Sequence, residues 1–224
     1  MKLTKRQKTW ANLDTEKVYS LFDAIETLRG YTSKKFDESL EIAIKLGIDI
    51  TKADQNIRGM LSLPNGTGKT VRVAVFTVNS ADEATKAGAD IVGGEDLIEK
   101  VASGEINFDR VIATPDMMPK MSKIARILGP KGLMPNPKLG TVTNNVAEAV
   151  KTAKAGQIEY RAEKKGIIHA GIGKMSFTTD QLVENANALI DQLKKVKPSS
   201  AKGQYILGAS VATTQGPGLK VDVK

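Results

Sequence analysis

The sequence predicts an α/β protein, with a central portion built as a small parallel sheet covered by helices and outer portions that read as α+β. Three observations carry this. From Val71 to Ala155, short β-branched runs alternate with helical stretches, the order that a parallel sheet wrapped on its faces requires. Upstream, Leu40, Ile42, Ile44, Leu46, Ile48 and Ile50 occupy every second position, as in a strand buried on one side. Downstream, Leu182, Val183, Ala186, Leu189, Ile190 and Leu193 line one face of a helix.

In chain order, Val18, Leu21, Phe22, Ile25 and Leu28 recur at helical spacing, which predicts an amphipathic helix over Asp14 to Arg29, stopped at Gly30. The alternating strand follows, with Ser39 and Glu41 facing away from the core. Arg58 to Leu63 reads as another strand before the break Pro64, Asn65, Gly66, Thr67, Gly68. The central portion then gives a strand over Val71 to Val78, a helix over Ala81 to Ala87, a strand at Asp90 to Val92 and a helix to Ser103. A strand at Val111 to Ala113, a helix over Met117 to Leu128, a loop, and a helix over Asn145 to Ala155 complete it. Strands return at Ile158 to Arg161 and Ile167 to Ala170. The long helix after Thr178 and Gln181, a capping box, ends in Lys194, Lys195 and Lys197, which suit its negative end. A strand from Gln204 to Thr214 closes the chain. One economical arrangement is a discontinuous outer domain with the centre inserted through two crossings, near 64–68 and 155–157. Two adjacent Gly-bearing crossings would make a hinge.

The chain has 224 residues and no cysteine, which excludes disulfides and thiolate metal sites and favours a reducing compartment. The basic start MKLTKRQKTW is followed by no long apolar run, so neither a signal peptide nor a membrane span is visible and a cytoplasmic location is expected. A formal net charge of +8 points to an anionic partner, nucleic acid before membrane surface. Residues 67–159 hold 12 Lys+Arg against 11 Asp+Glu, whereas the rest holds 21 against 14, so the outer portions carry the excess. The centre is itself bipolar, acidic over 67–118 and basic over 119–159.

Catalytic chemistry finds little support. GTGKT at Gly66 to Thr70 imitates a phosphate loop, but Leu63 stands where the leading glycine is needed, and Val71, Val73 and Val75 predict a strand where a helix should follow. A phosphate-ligand or nucleotide-binding enzyme using the central portion is therefore the minor alternative. His169, the one histidine, lies in an apolar run and reads as a satisfied structural imidazole. Asp82 with Glu83, and Glu95 with Asp96, fall in first helical turns, where they complement the dipole. Asp116 follows a strand end without a partner nearby in sequence and reads as structural. No catalytic residue, metal site or cofactor is expected.

RNA binding accounts for more. Lys34, Lys35 and Phe36 set two cations beside an aromatic ring just before a strand, combining phosphate attraction with a face for stacking. Phe36 also shares parity with Leu40, so the residues alone leave open whether it stacks or packs. Glu41 repels phosphates and would instead accept hydrogen bonds from a 2′-hydroxyl or base amino group. Thr213, Thr214, Gln215 and Gly216 end a strand with hydroxyls and a glycine that admits close approach. Lys120, Lys123, Arg126, Lys131 and Lys138 form a second basic group, for which a solvated helix face and rigid loop are the plainer reading.

The most distinctive segment is ILGPKGLMPNPKLGTV, Ile127 to Val142. Pro130, Pro135 and Pro137 fix φ there, while Gly129, Gly132 and Gly140 permit conformations closed to other residues. With MSKIARILGP before it, this segment closely resembles the signature of the universal protein one of the large ribosomal subunit, the side-stalk family, and the likeness extends more loosely along the whole chain. The resemblance implies the discontinuous architecture directly: an outer RNA-binding domain of residues 1–66 plus 157–224, an inserted three-layer α/β domain of residues 67–156, and a hinge between them. It implies a non-enzymatic, ribosome-bound protein, monomeric when free, in cytoplasm or an organelle stroma or matrix. Its implied partners are large-subunit ribosomal RNA, exit-site transfer RNA whose release it assists, and, in bacteria, its own operon mRNA, which it represses. It carries RNA-binding roles to Lys35, Phe36, Ser39, Glu41, Thr214, Gln215 and Gly216, with Thr213 adjacent; apart from the resemblance, Lys131 and Lys138 of the second basic group are expected as secondary contacts. Two positions depart from the family pattern: Gln215 stands where methionine is common, and Ser39 where threonine is frequent.

Overall fold

The computed structural model describes residues 4–33 and 35–223. In chain order the first portion gives helix α1 (Lys5–Thr9), strand β1 (Val18–Tyr19), helix α2 (Leu21–Arg29), and strands β2 (Ser39–Leu46) and β3 (Arg58–Ser62). The middle gives β4 (Val73–Phe76), α3 (Ala81–Lys86), β5 (Ile91–Gly93), α4 (Glu95–Ala102), β6 (Arg110–Ala113), two short helices α5 (Met118–Met121) and α6 (Ala125–Leu128), and α7 (Val146–Lys154). The last portion gives β7 (Gln157–Arg161), β8 (Ile167–Lys174), α8 (Thr179–Lys195), β9 (Ile206–Thr213) and β10 (Gly218–Val221). The chain is mixed α/β. It divides into two compact units, one running to Gly68 and resuming at Ile158, the other spanning Lys69–Gln157.

The first unit is organised by β2. Its even positions Leu40, Ile42, Ile44 and Leu46 are all buried, and β8 and β9 pair antiparallel on its two sides in a sheet ordered β1-β10-β9-β2-β8. Helices α2 and α8 cover one face through Ile25, Leu28, Leu182, Leu189 and Leu193, leaving the face of Glu41 and Lys45 open. Thr178 caps α8 with both halves of the capping box, its side chain accepting from the Gln181 amide while the Gln181 side chain accepts from the Thr178 amide. β3 and β7 form a separate two-stranded sheet.

Two predictions about this unit are corrected. The helix expected from Asp14 begins only at Leu21, because Val18 and Tyr19 pair with Lys220 and Val221 as an edge strand, and Ser20 caps the helix by accepting from the Asp23 amide at 3.1 Å. The chain does not close with the strand at Thr214 either: the Gly216 turn returns it as β10, antiparallel to β9.

Asn185 was given no role by the sequence, yet it fixes where the first crossing leaves this unit. Fully buried on α8, it donates from Nδ2 to the carbonyls of Ile172 at 2.8 Å and Gly66 at 3.0 Å, and its Oδ1 accepts from the Asn65 amide at 3.1 Å. Removing a buried side chain that satisfies three backbone groups, one buried and two half-buried, costs about 2–4 kcal/mol. Asn185→Ala is expected to lower the denaturant midpoint accordingly, and an unchanged midpoint would refute this role.

In the second unit β4 lies between β5 and β6, all parallel, and its four residues are all buried. Val73 and Val75 pack with Ala84, Val146 and Val150 on one face, and Ala74 and Phe76 with Leu97, Met121 and Leu128 on the other. That is a three-layer arrangement, and it explains the near-continuous apolar run. The helix expected over Met117 to Leu128 is instead a chain of short α and 3-10 turns. Pro119 lies in its first turn, and the Ser122 hydroxyl donates back to the Pro119 carbonyl at 2.6 Å, which breaks the regular ladder. No helix among the described residues is long and apolar enough to cross a membrane.

Candidate nucleic-acid interface

The strand start predicted to meet RNA is a fixed loop. Glu38 continues the buried parity of β2 and is 1% exposed, although it is a carboxylate. Its Oε1 accepts from the Ser33 amide at 2.8 Å and from the Arg6 guanidinium, and its Oε2 from the Gln215 amide at 3.4 Å. Burial opposes ionisation, but the Thr213 hydroxyl, Arg6 and the two amides outweigh it and hold the Glu38 carboxyl below its ordinary 4.5. On the other side of the loop Asp37 accepts from the Ser176 amide at 3.0 Å and the Ser176 hydroxyl at 2.7 Å. Between these anchors Lys35 and Phe36 project outward, and Phe36 is 43% exposed. The parity that would bury Phe36 runs one step past the strand, to Glu38, and is broken by the bend of the chain at Lys35 and Phe36. Lys34 lies outside the described residues.

The strand end is stapled to the same place. The Ser39 amide donates to Thr214 Oγ1 at 3.0 Å, and the Thr214 amide donates to the Ser39 carbonyl at 3.1 Å. Glu41 stands two pairs further along, exposed, opposite Ala212 on β9 and Gly171 on β8, so no long cross-strand side chain covers its carboxylate. Gly216 closes the turn by donating to the Thr213 carbonyl at 3.1 Å, and a Cβ there would collide with the Thr213 hydroxyl. The structure therefore brings Lys35, Phe36, Ser39, Glu41, Thr214, Gln215 and Gly216 to one end of the sheet, the rim where β2 begins and β9 ends (hereafter the edge). Thr213 is the exception. Expected at the surface, it is buried beneath that edge because it shares parity with Val211 and Ala209.

Gln215 is tied into the protein's own network, its side-chain carbonyl accepting from Arg6 Nη1. Arg6 belongs to α1, lies 5.8 Å over the Trp10 ring, and joins Glu38 and Gln215 in one cluster. Trp10 in turn meets Tyr31 edge-on at 6.5 Å. Sequence reasoning missed this cluster. Arg6 and Trp10 carry no local signal, but Glu38 did: an acid on the buried parity of a strand needs a partner.

In the second unit the distinctive loop is shaped by its own bonds. Asn136 Oδ1 accepts from the Lys138 amide at 2.9 Å, its own amide donates to Thr141 Oγ1 at 2.8 Å, and Gly132 and Gly140 adopt φ of 70° and 67°. Lys131 and Lys138 are exposed on it, as are Lys123 and Arg126, while Lys120 pairs with Glu95 at 2.5 Å. After GTGKT no helix forms and the chain passes into β4. His169 is corrected: it is an exposed residue on the open face of β8, 3.9 Å from Glu163, not a packed imidazole. Asp82, Glu83, Glu95 and Asp96 do occupy first helical turns.

The model of the Ribosomal protein L1p/L10e family matches residues 28–217. That span takes in the strand start at Phe36, the loop at Lys131 and the strand end at Thr214 together.

Proposed function

The chain belongs to the Ribosomal protein L1p/L10e family, which makes it a large-subunit ribosomal protein that binds ribosomal RNA, and we propose that it binds through the edge made by Lys35, Phe36, Ser39, Glu41, Thr214, Gln215 and Gly216. The observation that carries this is Phe36, an aromatic ring anchored on both sides and left in solvent beside a cation. A ring held outward is available to stack on a base, Lys35 attracts phosphate, and Glu41 accepts from donors that RNA offers and phosphate does not. Attraction and discrimination are thus assigned to different side chains.

The RNA is the side-stalk element of the large subunit. Residues 64–68 and 155–157 serve as a hinge that lets the second unit, with Lys131 and Lys138, follow transfer RNA leaving the exit site. The same edge represses the protein's own operon mRNA where that message copies the ribosomal fold. The protein is a cytoplasmic, non-enzymatic binder that needs no cofactor. Support for these roles comes from the signature loop and from the separation of a basic outer unit from a continuous inner one.

The test is footprinting on large-subunit RNA with affinity measured against salt. Protection is expected in the side stalk, with log affinity falling by about 0.9 per phosphate neutralised for each unit of log salt. Nucleotide hydrolysis abolished by Lys69→Ala, without preference for structured RNA, would overturn the reading in favour of a phosphate-ligand enzyme.

A further inference from the structure

At the opposite end of β9 from Thr214, the first unit leaves a groove of about 650 Å³ between the start of β9, the end of β10 and the C-terminal turn of α8. Its floor is apolar. Tyr205 and Val221 are buried in it, while Val18 and Leu207 stand 58% and 49% exposed. Burial and the neighbouring Tyr160 push the Tyr205 phenol up to about 12, so the floor carries no charge at ordinary pH. Among the described residues the rim carries Lys194, Lys197 and Lys220, with the carboxylate of Asp222 on the lining and that of Glu16 paired to Lys220, so Lys194 and Lys197 supply its positive side. Lys220 pairs with Glu16, Lys197 lies 5.8 Å over the Tyr205 ring, and Lys194 is exposed on the last turn of α8.

A groove of this size takes two or three side chains of a peptide. Exposed aliphatic groups inside a charged rim mark a surface that a partner covers. RNA fits it poorly, because Val18 and Leu207 offer no flat ring for stacking and the one aromatic of the floor is buried. The positive rim selects the sign of the partner. We propose that this groove docks an acidic segment of a partner protein, its aliphatic side chains covering Val18 and Leu207 while its carboxylates meet Lys194 and Lys197. From Ile206 to Thr213, at about 3.3 Å per residue, the groove lies roughly 20 Å from the Thr214 edge. Peptide and RNA therefore bind together.

The experiment uses the whole chain, a labelled peptide alternating aspartate and leucine, and a matching peptide alternating lysine and leucine. Saturable binding of the acidic peptide is expected, with amide NMR shifts confined to the surroundings of Val18, Leu207 and Val221, and with side-stalk RNA failing to displace it. Leu207→Asp is expected to weaken it about tenfold or more, the loss of one covered leucine contact. Lys194→Glu, an exposed change, is expected to weaken the acidic peptide about threefold and to strengthen the basic one, while Lys194→Gln, which keeps no charge of the wrong sign at the helix end, weakens the acidic peptide less. No binding of the acidic peptide, equal binding of the basic one, or shifts elsewhere would overturn the proposal. Displacement by RNA would overturn it too, and would make the groove part of the RNA surface.

Discussion

Glu38→Ala is expected to destabilise the first unit by about 2–4 kcal/mol and to lower its melting temperature by roughly 5–12 °C. The substitution removes the acceptor of Arg6 and of the Ser33 and Gln215 amides at once, so α1, the Phe36 loop and the β9 turn all lose their common anchor. Glu38→Gln separates charge from shape. The folded carboxyl titrates below its ordinary 4.5, so its contribution is complete above that value and is lost as pH falls through the folded one. The wild type should therefore exceed Glu38→Gln in melting temperature at neutral pH, and the gap should close in acid below 4.5. A gap that stays constant into acid would show that the ionised carboxylate is not what holds the cluster.

Phe36→Ala and Thr214→Val are each expected to weaken side-stalk RNA binding about 10- to 100-fold, through different physics. Stacking on an exposed ring is worth about 1–3 kcal/mol per base. Because Phe36 stands in solvent, its removal should leave the melting temperature nearly unchanged, which separates a binding role from a packing role. Thr214→Val removes the acceptor of the Ser39 amide, freeing the pairing that sets Ser39 and Glu41 in register with the strand end. Lys69→Ala, in the false phosphate loop, should change RNA affinity by less than about threefold. Titration of each variant with the same RNA fragment at fixed salt decides this, and a Lys69 effect as large as that of Phe36 would count against the assigned edge.

Much of the fold was legible because period alone carried it. The alternation of β2, the helical stripe and capping box of α8, and the alternating elements of the second unit each lie within one window of sequence. What was not legible depended on distant partners. Val18 fits a helical spacing as well as it fits a strand, and only β10, some two hundred residues later, decides between them. Phe36 shares parity with Leu40 and could not be told from a packed ring without the bend before β2, whereas Glu41 and Thr214 were readable as exposed residues. Thr213 was not, because a strand end gives no hint of which hydroxyl turns inward until the register with Leu40 is known. Arg6 was invisible for the same reason, its partners being 32 and 209 residues away.

The staple between Ser39 and Thr214 joins residues 175 apart, and this governs when the edge can exist. The second unit is one continuous stretch and can condense as it leaves the ribosome that makes it. The first unit cannot, because both strands flanking β2 are translated after the whole of the second unit. Closing pairs of such sequence separation is slow. The edge proposed to meet RNA is thus the last part of the molecule to be assembled, so a chain truncated before Thr214 is expected to retain its inner unit and to lose RNA binding.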